Sequence, residues 1–535
     1  MQFGDHHFFN KFIALVCTSA VALSGCGLNS GTGEEMPALD TSSTITSDYE
    51  EHLDISIAYW QIDKALENRS SDLVLQTIED KFNITIEPVN ITWDDYYSKI
   101  ELWAENGTLP DVFIGDYRKS PTMGEWVTQG LLHEIPDDLS QYPNLAKYMD
   151  SPEKHTCQFN GKTYCIFRQT YNEQAETIKD RTILYRWDLA QAAGIKNEPE
   201  NWDEFREMIQ AIIAADPEHT GIKGMTAKDH TMLAAPLFTY SIPLAAAGYS
   251  SFYWVDNGDQ YVPAIFAGET LGADALPTWH LMRDMYQEGT IEDDIILTTT
   301  SQAEEKFLNG KSAAICIDGG ISNTKTYENM GQYWKDVHGS EFFDDVKYLD
   351  IMPSVDGNKY YTVWDYAWSE TYINSNVSDE KMNRILALYD YLLSDEGTIL
   401  SNFGIENDTY IINEAGDIDI IYDKPSDKYH SLEMLGSLTC WNYGIQDSSR
   451  YPDLVPEEYV KADEERVEMA KHCTIPEYNY ECTRALYESG YTFSIDVNDI
   501  FTRIMYSDEP VEDVWDKIIE EYKEKGLLQV IDKVQ

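Results

Sequence analysis

Three consecutive segments restrict the architecture of this chain more than any other feature. In LDISIAYW, residues 53–60, Leu53, Ile55, Ile57 and Tyr59 alternate at the period of a strand. In SDLVLQTIEDKF, Val74, Ile78 and Phe82 share one helical face, and NITIEPV reads as a second strand. Strand, helix, strand in that order predicts a βαβ unit and places the chain in the α/β class. The next segment repeats the logic. A helix carrying Tyr97, Ile100 and Leu102 is expected to end at Asn106-Gly107, Pro110 blocks its continuation, and Asp111-Val-Phe-Ile-Gly115-Asp116 reads as a short buried strand opening into a loop.

At 535 residues and 43% hydrophobic content the chain exceeds one ordinary domain, so two lobes are the expectation. Its 94 acidic residues against 39 basic ones give a net charge of -55, which repels nucleic acid and anionic headgroups. No apolar run reaches membrane-spanning length. The longest begins at Phe12 and passes through Ile13, Leu15, Val16, Ala20, Val21 and Ala22 to Leu23-Ser24-Gly25-Cys26, behind a short segment carrying Lys11. It is too short for a permanent span and has small residues before its cysteine, as a secretory signal does. Leu-Ser-Gly-Cys also resembles the lipobox of bacterial lipoproteins. That resemblance implies cleavage after residue 25 and acylation of Cys26, leaving the remainder tethered to the outer face of the cell membrane. Residues 26–50, rich in Gly, Ser, Thr, Glu and Asp, read as a flexible tether.

Six further cysteines, Cys157, Cys165, Cys316, Cys440, Cys473 and Cys482, form no C-x-x-C pair. His155 and His472 stand near Cys157 and Cys473, but structural or free thiols are expected there, with no metal and no cofactor. Cys157 and Cys165 flank a hairpin, TCQFNGKTYC. A two-residue Asn160-Gly161 turn pairs Phe159 with Lys162 and sets the two cysteines one step out of line on opposite faces, whereas a three-residue loop would set them opposite each other. DNGDQYV at Asp256 reads as another hairpin turn, and no EF-hand calcium loop is present.

The order of segments resembles the extracellular solute-binding proteins of bacterial ABC importers, particularly the long lipoproteins of oligosaccharide uptake. Helix, Gly-Thr-Leu-Pro-Asp, apolar strand is similar to their pattern, as are NGKTYCIF, TILYRWDLAQAAGIKNEPENWDEF, EKFLNGKSAAICIDGG, the strand and helix of TYINSNVSDEKMNRILALYDYLL, NFGIENDTY and the terminal VEDVWDKIIEEYKEKG. Within these, Asn201 and Glu204 make a capping-box-like start, Phe205, Met208, Ile209, Ile212 and Ile213 form one stripe, and Met382, Ile385, Leu386, Tyr389, Leu392 and Leu393 another. Departures occur at Arg186-Trp187-Asp188-Leu189, Ile166-Phe167 and Cys165. The resemblance implies a two-lobed, type II periplasmic-binding-protein-like α/β fold with a ligand cleft between the lobes. Residues 51–182 and 345–400 are expected in lobe 1, and 183–344 and 401–535 in lobe 2.

A sugar presents apolar C–H faces rimmed by hydroxyls, so its cleft needs aromatic platforms with carboxylate and amide partners. Candidates are polar and aromatic residues at expected strand ends and loops: Trp60, Asp116, Tyr117, Arg168, Asp318, Trp364, Asp365, Tyr366, Trp368 and Trp441. Trp187, Trp202, Trp279 and Trp515 sit in helical patterns and are assigned to the core. Arg168 could meet a uronic acid, but the acidic chain favours neutral glycans. The expected partners are a carbohydrate and the permease subunits of an importer, with the protein a monomer. The rival readings are a tethered glycoside hydrolase and a peptide-binding or sensory protein of the same fold. No G-x-S-x-G, H-E-x-x-H, G-x-G-x-x-G or P-loop is present to support enzymatic machinery.

Overall fold

The computed structural model describes residues 49–535 except 172, 228–229, 246–252, 323–325, 363–366, 415, 417, 423, 441–454, 475–476, 478 and 492. Nine strands make its two principal sheets: β1 (Leu53–Trp60), β2 (Ile84–Ile91), β3 (Val112–Gly115), β4 (Cys165–Gln169), β5 (Arg181–Arg186), β6 (Lys223–Ala227), β7 (Ser312–Asp318), β8 (Val346–Tyr348) and β9 (Ala367–Ile373). The first sheet has the order β2-β1-β3-β9-β4 and the second β8-β5-β7-β6. The expected βαβ unit is present. β1 and β2 are parallel, in register from Leu53 opposite Ile84 to Trp60 opposite Ile91, and helix α1 (Leu73–Phe82) connects them, buried through Val74, Leu75, Ile78 and Phe82. Asp72 caps α1 through the Leu75 amide.

Helix α2 (Tyr96–Asn106) ends as expected on Gly107, at a φ of 64°. Its buried stripe, however, is Tyr96, Ile100 and Ala104, while Tyr97 and Leu102 are 42% and 54% exposed. The true stripe advances by four residues each time; Tyr97 and Leu102 lie on its flanks. Helix α3 (Trp202–Ala215) is capped by Asn201 and buries Phe205, Met208, Ile209 and Ile212; helix α4 (Asp379–Leu392) buries Met382, Ile385, Leu386, Tyr389 and Leu392. Trp187, Trp202, Trp279 and Trp515 are all core residues, and Trp254–Asp256 pairs with Tyr261–Pro263 as the hairpin expected at Asp256.

Each sheet anchors its own hydrophobic core. One contains Ile57, Phe113, Ile166, Tyr372 and Leu386; the other contains Tyr185, Met225, Ala314, Trp279 and Trp515. Two segments fall outside the expected division. β8 had been expected in lobe 1 but hydrogen-bonds antiparallel to β5 in the second sheet, because the chain pairs once more there before returning. Residues 429–438, expected in lobe 2, contribute Tyr429, Leu432, Met434, Leu435 and Leu438 to the first core, held by Asp72, which accepts from the Ser431 amide and hydroxyl at 2.9 Å each.

Gly224 in β6 sets a sharp packing constraint. A Cβ there would stand 2.2 Å from the Gly289 carbonyl oxygen and 2.3 Å from that of Thr290, where the chain bridges to the sheet through Met225 and Ile291. Backbone cannot yield as a flexible side chain can. We expect Gly224→Ala to destabilise the protein by about 2 kcal/mol or more in urea unfolding, with Gly161→Ala, in an open turn, costing less despite its positive φ.

Candidate functional site

The strand directions bring two sheet edges together. β1 and β3 are parallel, and β9 runs against both β3 and β4, so the ends of β1, β3 and β4 and the start of β9 share one edge. In the second sheet β7 is antiparallel to β5 and parallel to β6, and β8 is antiparallel to β5. The start of β5 and the ends of β6, β7 and β8 therefore share an edge as well. The chain passes from the end of β4 to the start of β5, and again from the end of β8 to the start of β9. Both crossings join these same two edges, which is where an open α/β sheet presents its ligand-binding residues.

On the first edge Trp60, Trp93 and Trp368 form a stack. Ring centroids lie 4.8 Å apart for Trp60 and Trp93, 5.5 Å for Trp60 and Trp368, and 5.9 Å for Trp93 and Trp368, with interplanar angles of 15°, 28° and 27°. Tyr96 meets Trp60 and Trp93 edge-on. Trp60 is 4% exposed, Trp93 45%, and Trp368 is half-buried. The backbone turns to place them. Gln61 adopts φ 54° immediately after β1, and a bulge in β9 puts Ser369 at φ 62° beside Trp368.

Arg168 fixes this bulge from below. Wholly buried, it lies 5.6 Å from the ring centroids of both Tyr59 and Trp60, donates to the Ser369 hydroxyl at 2.7 Å, and donates through Nε and Nη2 to the Ser437 carbonyl. Its position supports the platform from beneath instead of lining its exposed face. Tyr117, 2% exposed, likewise packs against Trp126 and Tyr97 within the aromatic core. Asp116, half-buried at the end of β3, stands beside them. Asp318 ends β7 on the opposing edge, near Asp180 and Arg181, which pair at 2.7 Å where the first crossing enters the second sheet. Burial raises the Asp180 carboxyl, with Arg181 opposing and Asp318 adding to the rise. The structure thus gathers Trp60, Trp368, Arg168, Asp116 and Tyr117 on one side and Asp318 on the other. Trp364, Asp365, Tyr366 and Trp441 lie outside the described residues, as does Cys26.

Trp93 was not among the expected candidates. It follows β2 by two residues, and Trp60 is in register with Ile91, so the strand-end criterion that selected Trp60 also selects Trp93 once β2 is extended to its full length.

Behind Asp116 lies a buried ionic group. Arg118 pairs with Glu153 at 2.8 Å and Glu370 at 3.3 Å, while Glu370 accepts from the Tyr117 and Arg118 amides and the Tyr372 hydroxyl. Burial raises the Glu370 carboxyl to about 7, with Asp116 pushing the same way and Arg118 opposing. The lobes touch beside this group: Lys119 donates to the Tyr253 hydroxyl at 3.3 Å, and the Tyr480 hydroxyl to the Arg118 carbonyl at 3.3 Å.

A model of bacterial extracellular solute-binding proteins matches residues 74–401 of this sequence. The chain belongs to that family. No curated protein matches it. Solved structures extend the likeness across both lobes of this solute-binding protein. The alginate-binding protein AlgQ2 without calcium ion superposes with a TM-score of 0.66 at 18% identity, over 92% of this chain and 99% of that one. The ABC-transporter substrate-binding protein FusA of S. pneumoniae, in complex with kestose, gives 0.63 at 14% identity over 90% and 98%. An HMO-binding, ABC-transporter-associated solute-binding protein from Bifidobacterium longum infantis gives 0.63 at 12% identity over 91% and 98%. At these identities the likeness establishes the two-lobed fold. Among the described residues no helix is long and apolar enough to cross a membrane.

The Glu370 site makes a pH prediction for this protein. The folded state keeps the carboxyl protonated up to about pH 7, whereas the unfolded chain releases the proton near the ordinary value of 4.5. The stabilising share is therefore complete below pH 4.5 and is lost as pH rises through 7. In paired urea titrations, the stability of Glu370→Gln relative to the parent should rise between pH 5 and 8, by on the order of 3 kcal/mol at most; a constant difference would refute the assignment.

Proposed function

We propose that this solute-binding protein captures a carbohydrate, an oligosaccharide, between its lobes and delivers it to an ABC importer, held at the outer face of the membrane by lipid on Cys26. The observation that carries the carbohydrate reading is the stack of Trp60, Trp93 and Trp368, which leaves Trp93 45% exposed at the edge facing the second lobe. An indole face suits the C–H face of a pyranose or furanose, and Asp116 and Asp318 supply acceptors for hydroxyls. The nearby Arg168 already has its guanidinium engaged by Ser437, Ser369 and two aromatic rings, which supports neutral over anionic glycans. The importer and the lipid tether rest on the family's chemistry and on Leu23-Ser24-Gly25-Cys26. On this reading the protein binds its cargo intact, as a monomer, with no cofactor.

Screening neutral oligosaccharides, uronic-acid oligomers and short peptides by thermal shift tests it directly. A hundredfold excess over Kd stabilises by about 2.7 kcal/mol. A neutral oligosaccharide that stabilises the protein and is recovered uncleaved is the expected result; a cleaved sugar would point to a hydrolase, and a response to peptides alone would overturn the carbohydrate reading.

The platform itself can be divided by mutation. Trp93→Ala should weaken binding of that oligosaccharide roughly tenfold with little change in stability, since its ring is half in solvent. Trp60→Ala should instead cost about 3–5 kcal/mol of stability, being a buried aromatic. Equal affinities of the parent and Trp93→Ala would remove the stack from the site. For the tether, Cys26→Ala should move the protein from the membrane to the soluble fraction while leaving oligosaccharide affinity unchanged.

A further inference from the structure

Besides the two crossings, the lobes meet through side chains at a second place. On the first lobe it is built from the turn after β3 and from the hairpin in which Gln158–Phe159 pairs with Lys162–Thr163. Asn160 and Gly161 make the tip of that hairpin at φ of 51° and 76°. The Phe159 ring lies so close over Gly124, in the helix Pro121–Thr128, that a Cβ there would stand 2.8 Å from it. Hairpin, helix and turn thus form one packed unit. On the second lobe the partners are Tyr253 and the segment 479–488. Its own lobe holds that segment firmly: the Asn479 amide donates to the Trp254 carbonyl at 2.7 Å, and Cys482 and Leu486 are buried in the second core. Between the lobes, Glu488 accepts from the Asn160 amide at 2.7 Å, and Lys119 donates to the Tyr253 hydroxyl at 3.3 Å. Tyr480 donates to the Arg118 carbonyl at 3.3 Å and meets the His155 ring edge-on, with centroids 5.2 Å apart.

None of these residues lies between β4 and β5 or between β8 and β9. A hinge bends where chain crosses and keeps its contacts there, whereas surfaces that touch elsewhere must let go of one another before the bodies separate. Two of the bonds end on backbone, at the Asn160 amide and the Arg118 carbonyl, so the match is set by the fold of tip and turn as well as by side chains. The turn is also tied to the candidate site: it follows Asp116, and Glu370 holds it by accepting from the Tyr117 and Arg118 amides. We infer that Tyr253, Tyr480 and Glu488 form a latch on the first lobe, that this latch parts as one unit when the lobes separate, and that its strength sets how long a molecule stays between them. The claim on residence time rests on the capture of a carbohydrate between the lobes; the latch itself does not. Tyr480 and Glu488 are positioning residues on this view. A molecule held by the closed arrangement leaves at a rate set by how often the latch opens, so each bond removed raises the open population and the rate of release together.

Hydrogen–deuterium exchange on the full chain, without sugar, tests the latch. Its reporter is the Asn160 amide, which is bonded across the lobes to Glu488. Tyr480→Phe removes the bond to Arg118 and Lys119→Met the bond to Tyr253, both leaving Glu488 in place. In each variant the Asn160 amide should exchange about fivefold faster, while the amides of β7 keep the parent's rate. A parent-like Asn160 rate in either variant overturns the latch, because the contacts would then be independent. Acceleration that extends equally to β7 overturns it too, since the whole fold and not the latch would be loosened. Stopped-flow dissociation of a neutral oligosaccharide recovered from the thermal-shift screen supplies the second readout. Glu488→Ala should release it roughly tenfold faster; an unchanged rate overturns the claim on residence time. Should no oligosaccharide bind, the carbohydrate reading falls and the exchange result still decides the latch.

Discussion

The constraint on which this structure depends is that its chain crosses between lobes at one pair of sheet edges. Residues 170–180 carry it from β4 to β5, and 349–366 carry it from β8 back to β9. Leu438 belongs to the first core, whereas Val455 packs with Leu184, Ile315 and Ile317 of the second sheet. Chain that crosses repeatedly at one place ties the lobes there and leaves their far ends to pack independently, so that each sheet builds hydrophobic core of its own. The same crossings fix the location of the candidate site, since the ends of β1, β3, β4 and β7 all lie at this junction.

Much of this was legible in the sequence because hydrophobic period is set by backbone geometry. Leu53, Ile55 and Ile57 announced β1, and Phe205, Met208, Ile209 and Ile212 announced α3, with Asn201 as its cap. Segment membership was not legible in the same way. Nothing local to Val346 or Tyr429 says which sheet or core receives it; a three-residue strand pairs wherever an edge is free, and Tyr429 to Leu438 is placed by Asp72, more than 350 positions upstream. The face of α2 was misjudged because Tyr96 and Tyr97 each mark a possible stripe, although only the stripe of Tyr96 continues through Ile100 and Ala104. For the site, Trp60 and Trp368 were identifiable as strand-end aromatics. Arg168 and Tyr117 satisfied the same criterion, yet a position at a strand end says nothing about whether the side chain turns toward the junction or into the sheet beneath it.

That difference organises the electrostatics of the platform. A guanidinium under Tyr59 and Trp60 meets the electron-rich ring faces while its N–H groups are taken up by Ser437 and Ser369. The charge is thereby spent inside the protein, and it locks the β9 bulge that carries Trp368. Stacking then passes from Trp60 outward to Trp93, the most exposed ring of the three. A buried cation thus supports an uncharged aromatic face in a chain of net charge -55.

The ionic group of Arg118, Glu153 and Glu370 does related work one strand away. Glu370 pairs across β9 with Gly115 of β3 and Phe167 of β4, so its carboxylate sits between the strands that deliver Asp116 and Arg168. By accepting from the Tyr117 and Arg118 amides it fixes the turn that follows β3, and with it Asp116 and Lys119. Lys119 and the Arg118 carbonyl are in turn the points at which Tyr253 and Tyr480 of the second lobe make contact. Lobe contact and the geometry of the candidate site therefore share one buried carboxyl group, and a change that loosens Glu370 must be felt both at Asp116 and at the contacts of Lys119 and Arg118 with the second lobe.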